Sequence, residues 1–261
     1  MNKNVRLGGL LALIAALIGI IGHFVLFLNW YLIGTHAESA EPGCEILLKY
    51  IHPGLADLGL LASVLFLVSA YGYFSGKSWA YLLSVLGIIG ALLGSFFINI
   101  PFMAAKLPPV YFSLFFPYLV IYFLLLRVVK KLPWKRILLA LGTGMAYVFC
   151  FMNGVASTSR IITIGAPIFF LVVALHEVAM LGWAAVTAGI LTRPKEWQMV
   201  LGLCAGLLEL VVGIPLAVVT AMGLGRFSLF ALAPIACLAL VVIILWPKLW
   251  LRLAGMGEQA G

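Results

Sequence analysis

The run LVVALHEVAMLGWAAV, residues 171–186, is apolar enough for a membrane helix yet carries His176 and Glu177 in its middle. A charged carboxylate at a helix centre costs about 2.5–3.5 kcal/mol on insertion scales, so it needs a proton, a partner or a bound cation. Two further acids, Asp57 and Glu209, fall inside apolar runs, whereas none of the sixteen Lys and Arg sits well inside one. With no fixed cation at that depth, the acids must be protonated, bind a mobile cation or lean on His23 and His176. Burial disfavours the ionised form of a carboxyl, which makes a proton-carrying acid the natural outcome. Glu177, Glu209 and Asp57 are therefore the candidate proton- or cation-binding groups, with His176, His23 and Asn99 as supporting polar side chains. The same acids could instead be neutral cross-links between helices, and Asp57 could be an early-turn acid favoured by its helix dipole.

Neighbouring positions on a helix point about 100° apart, so His176 and Glu177 serve different neighbours. Glu177 stands about 16 residues before the Arg193-Pro194 turn and Glu209 about 15 after it, which gives them nearly equal depth at 1.5 Å per residue. We expect those two carboxyls to face each other across the hairpin, with His176 turned elsewhere.

Zinc-protease chemistry is excluded here, because HEVAM has Met180 where H-E-x-x-H needs its second histidine. No phosphate-binding loop, dinucleotide fingerprint or nucleophile elbow occurs, and the reading leans away from an enzyme. No cofactor is expected in the leading reading. His23, which follows Gly19 and Gly22, could join His176 as a b-type haem ligand, so a haem- or quinone-binding redox subunit is the alternative. A scaffold without chemistry is the third reading. In the segment 34–54, His36, Glu38 and Glu41 read as a solvated loop before a weak divalent site, and EILLKYIH either lies in the interface or extends the second helix outward. Cys44 and Cys150 could pair, although ordinary buried thiols are the better reading of the four cysteines.

The elements that hold these groups follow from composition. Of 261 residues 65% are hydrophobic and 9% charged, and the mean hydropathy is +1.21, far from a soluble domain. Apolar stretches of about 20 residues, the length that crosses hydrocarbon, recur at 8–33, 53–74, 79–101, 110–129, 136–153, 162–191, 197–222 and 227–249. These are continuous runs without the alternation of a barrel strand. The expected fold class is all-α, a polytopic membrane protein of eight transmembrane helices.

With a cytoplasmic N-terminus, twelve Lys and Arg fall inside and four outside, which places both termini in the cytoplasm by the positive-inside rule. The net charge of +8 then marks topology and attraction to anionic membrane lipid and excludes a nucleic-acid surface. A prokaryotic-type inner membrane or a plasma membrane is the expected location. The long apolar run behind Lys3 and Arg6 reads as a retained helix, since no small-residue cleavage site follows it.

The halves also echo each other. Lys77 and Trp79 match Lys195 and Trp197, Ile100-Pro101 matches Ile214-Pro215, FSLF at 112–115 recurs at 227–230, and Pro117 answers Pro234. The order is kept with one gap of four residues. We therefore expect two parallel four-helix repeats, 1–130 and 131–261, because an even number of helices leaves both copies pointing the same way. GIIGALLG at 87–94 and GLCAG at 202–206 have the small-residue spacing of closely packed membrane helices. The function expected is a proton- or cation-coupled carrier of a small solute, with a homo-oligomer or larger membrane complex left open.

Overall fold

The computed structural model describes residues 3–38, 43, 46–165 and 167–256. Among them there is no strand. The chain divides into two compact units, Met1–Leu132 and Pro133–Gly261.

The first unit holds α1 (Lys3–Ala37), α2 (Leu47–Phe74), α3 (Ala80–Phe96), the short α4 (Asn99–Ala104) and α5 (Phe112–Phe123), which runs into a π-helical turn at Leu124–Val129. Helix α2 packs between α1 and α3, and α5 closes the unit against α3 and α1. Glycines set the distances. A Cβ on Gly94 would stand 3.0 Å from the carbonyl oxygen of Leu55, so α3 and α2 touch nearly backbone to backbone, as small residues allow in membrane helices. Residues 47–52 of EILLKYIH extend α2: the helix starts at Leu47 and runs through Pro53, and the Glu38 carboxylate accepts a hydrogen bond from the free Leu48 N–H of its first turn.

The second unit holds α6 (Trp134–Ile164), α7 (Pro167–Thr192), α8 (Trp197–Leu224), a 3-10 turn at Leu229–Ala231, α9 (Leu232–Ile244) and α10 (Pro247–Ala254). Consecutive helices pack on one another, and α9 returns to α6. Gly165 ends α6 in the left-handed region at φ 61°, a conformation open to glycine because it has no Cβ. Trp183, fully buried on α7, fills the space left at Gly202 and Gly206 of α8.

Seven helices among the described residues are long and apolar enough to cross a membrane. This is the makeup of a multi-pass membrane protein. The expected eighth span, 227–249, is not one straight helix: Leu229–Ile244 and Pro247–Ala254 are bent apart by 99°. Proline lacks the N–H that would continue the ladder, and Trp246 leaves helical geometry just before it. The fifth expected span, 136–153, is too short. Helix α6 runs on to Ile164, because Ser157, Ser159 and Arg160 are buried within the unit and do not form a loop.

Candidate functional site

In the second unit, α6 presents Thr143, Cys150, Asn153, Ser157 and Arg160 as buried residues. Their spacing of seven, three, four and three puts them on one face of the helix. Asn153 lies opposite Glu209 of α8, and its Nδ2 donates to Glu209 Oε1 at 2.9 Å and to the Phe230 carbonyl at 3.2 Å. The other carboxyl oxygen, Oε2, stands 2.8 Å from Nδ1 of His176 on α7. All three side chains are fully buried. A hydrogen bond between imidazole and carboxyl requires a hydrogen on one of them, so the pair holds at least one proton between its two facing atoms.

Hydrogen bonds between membrane helices average about 0.6 kcal/mol each, less than the roughly 2.5–3.5 kcal/mol that a bare carboxylate costs at depth. Both carboxyl oxygens already meet nitrogen atoms, and among the described residues no group of three or more His, Cys, Asp or Glu could hold a metal ion.

The expected pairing of Glu177 with Glu209 is corrected by this geometry. His176 takes the place across the α7–α8 contact, and Glu177 turns to α6, where a Cβ on Gly154 would fall 2.2 Å from its Oε1. Equal depth fixed which residues share a level and left open which way each faces. Glu177 keeps part of its surface exposed, unlike Glu209.

Asn153 and Arg160 were not foreseen as part of a site. Arg160, one of the four Lys and Arg that the charge count puts outside, is 5% exposed, with its guanidinium 4.8 Å above the Phe230 ring and 5.7 Å from that of Phe169. The rings supply the cation–π contact that tolerates a desolvated charge. The one available signal was an Asn four residues before a Ser and seven before an Arg. Below Asn153, the Cys150 thiol meets that of Cys237 on α9 at 3.9 Å. Both are buried, whereas Cys204 is exposed. The alternative partner, Cys44, lies outside the described residues, as does Glu41.

The first unit brings together a different set. His23 Nδ1 meets the Gly19 carbonyl at 2.9 Å, and its Nε2 is buried without a partner against Gly59, where a Cβ would come within 2.0 Å. The ring lies 6.3 Å from Tyr111 and 6.5 Å from Tyr118. His52, which the sequence reading passed over, is fully buried and shares a hydrogen bond of 2.7 Å with the Tyr111 hydroxyl. Phe27, Tyr31 and Phe102 surround its ring. Asn99 is buried and donates to the carbonyls of Ser95 and Phe96, where the α3 backbone breaks before Pro101. Its role is to satisfy a helix end. Asp57 is exposed on α2, and His36 is exposed at the end of α1.

Fold and site together define a multi-pass, all-helical membrane protein with an acid, an imidazole and an amide meeting in the interior of its second unit. Comparison with protein-family models, curated proteins and solved structures finds no match to this chain.

Proposed function

We propose that the chain is a proton-coupled membrane carrier of a small solute, in which Glu209, His176 and Asn153 bind the coupling proton. The observation that carries this reading is the fully buried carboxyl of Glu209, joined at 2.8 Å to an equally buried imidazole. Such a pair can gain or lose one proton with little movement, while each ionised state is costly enough to be worth coupling to something else. A proton suits the site better than a metal cation, since nitrogen atoms already meet both oxygens. Glu177, with part of its surface exposed, is the second carboxyl of the proposed proton or cation pathway in this unit, and Asp57 is a separate proposed proton- or cation-binding acid of the first unit.

The same proposal includes eight membrane crossings, with Leu229–Ile244 as the last and both termini cytoplasmic, and the two units as parallel copies of one four-helix plan. The collinear sequence matches support the repeat. So does the packing order, which is sequential within each unit and closes from last helix to first in both. The haem alternative is weakened at His23, because the Gly59 backbone fills the position next to Nε2 that an iron would need.

Infrared difference spectroscopy across a pH step, on the protein in lipid vesicles, tests the proton site. The expected result is a protonated-carboxyl band that Glu209→Gln removes while the variant still inserts and folds. A band that survives Glu209→Gln unchanged would remove Glu209 from the mechanism.

A further inference from the structure

Among the described residues, Arg160 is the one Lys or Arg that is buried. Its Nη1 donates to the Ala156 carbonyl, one turn back, at 3.3 Å, which folds the guanidinium down the helix to the level of Ser157. The Ser157 hydroxyl is fully buried and meets no hydrogen-bond partner among the described residues. Buried polar groups are as a rule satisfied, so an orphaned hydroxyl beside a buried cation points to a ligand that the two would share. Phe230 ties them to the proton site: its ring lies 4.8 Å from the guanidinium, and its carbonyl accepts from Asn153, which also donates to Glu209.

The surroundings select the sign of that ligand. No acid occurs in 154–175 or 216–235, the segments that form this end of the unit, whereas Arg160 and Arg226 both do. Two basic groups without an acid between them draw anions. The rings of Phe169 and Phe230 ease the burial of the charge without taking up N–H donors, and the guanidinium fork matches the two oxygens of a carboxylate. One buried cation balances one negative charge, which favours a monoanion over a phosphate dianion. The site also has a way in, because Arg160 keeps 5% of its surface exposed and residues 162–165, at the end of α6 just beyond it, are exposed.

We infer that Arg160 and Ser157 bind the carboxylate of a small monocarboxylate, with Phe169 and Phe230 against its apolar part. This names the solute class of the carrier reading and rests on that reading. A proton at the Glu209–His176 pair and one carboxylate at Arg160 would together add no net charge to the unit, the cheapest combination to move through hydrocarbon.

The test uses the full chain in nanodiscs of uncharged lipid and follows the melting temperature against sodium propionate. A ligand held by the folded state alone raises that temperature, so we expect a saturable rise with propionate. Equal sodium chloride should give none, and neither should propionamide, which has the same shape without the charge. Arg160→Lys keeps the charge and loses the fork, and should raise the half-saturating concentration at least about tenfold. Ser157→Ala should raise it several-fold. Ser159→Ala, which removes another buried hydroxyl about 200° round the helix from Ser157, should leave it unchanged. No saturable rise, an equal rise with chloride or propionamide, or equal affinity of Ser157→Ala and Ser159→Ala overturns the proposal, and that serine pair decides it if Arg160→Lys does not fold. No proton movement is read, so the solute class can fail while the infrared band of Glu209 stands, and the proton site can fail while propionate still binds.

Discussion

His176 Nδ1 and Glu209 Oε2 face each other at 2.8 Å, while Glu177, the next residue along, is turned onto α6 beside Gly154. One step along a helix thus separates a fully buried acid–imidazole pair from a carboxyl with surface exposed.

Removing the imidazole should expose how the pair is held. His176→Leu leaves Glu209 Oε2 buried without a partner, and we expect a loss of about 1–3 kcal/mol in unfolding experiments in mixed micelles. Glu209→Gln combined with His176→Leu should cost less than the sum of the two single changes by at least about 0.5 kcal/mol, the signature of directly coupled residues. Strict additivity would mean that the hydrogen bond is absent.

The two acids should differ in kind. In vesicles under a pH gradient, Glu209→Gln should abolish the pH-driven carboxyl signal, whereas Glu177→Gln should keep it and slow its exchange several-fold. The rate measured after a pH jump distinguishes them. Equal behaviour of both variants would mean that the burial difference has no functional meaning.

Close packing in the first unit gives a paired test. A methyl group on Gly59 would meet the His23 ring at 2.0–2.4 Å, while nothing stands within 4 Å of one on Gly54. Gly59→Ala should therefore lower stability by about 1–3 kcal/mol through overpacking, and Gly54→Ala should not. Thermal unfolding of the two variants, only five positions apart on one helix, checks it.

Topology can be read chemically. If both termini are cytoplasmic, as proposed, a cysteine at His36→Cys should react with an impermeant maleimide only from the outer side, and one at Lys77→Cys only from the inner side. Both residues are exposed. The reverse pattern would invert the map.

The helices were legible because long apolar runs force the backbone to satisfy its own hydrogen bonds, and counting residues away from the turn put Glu209 level with the middle of α7, where it meets His176. Rotation about each helix axis was not legible. Whether His176 or Glu177 meets α8 depends on how far α7 is turned, and apolar residues on every side of that helix give no amphipathic stripe from which to read it. Asn153, Ser157 and Arg160 misled for a related reason. Polar residues in sequence look like a loop, yet here they are buried by their own unit, with Phe169 and Phe230 sheltering the one charge. His52 gave no signal of its own, since its partner Tyr111 is 59 residues away.

Helix α10 turns by 99° from α9 and lies against α6, with Trp250 and Ala254 buried beneath it and Lys248 and Arg252 facing outward. In a membrane, a short basic helix set crosswise to its bundle is suited to hold its cations at the level of the lipid phosphates. On the carrier reading it would act as a doorstop: sliding the second unit along its own axis would drag two charges into hydrocarbon, so the proposed stroke would come from tilting or from exchange of contacts among α6 to α9.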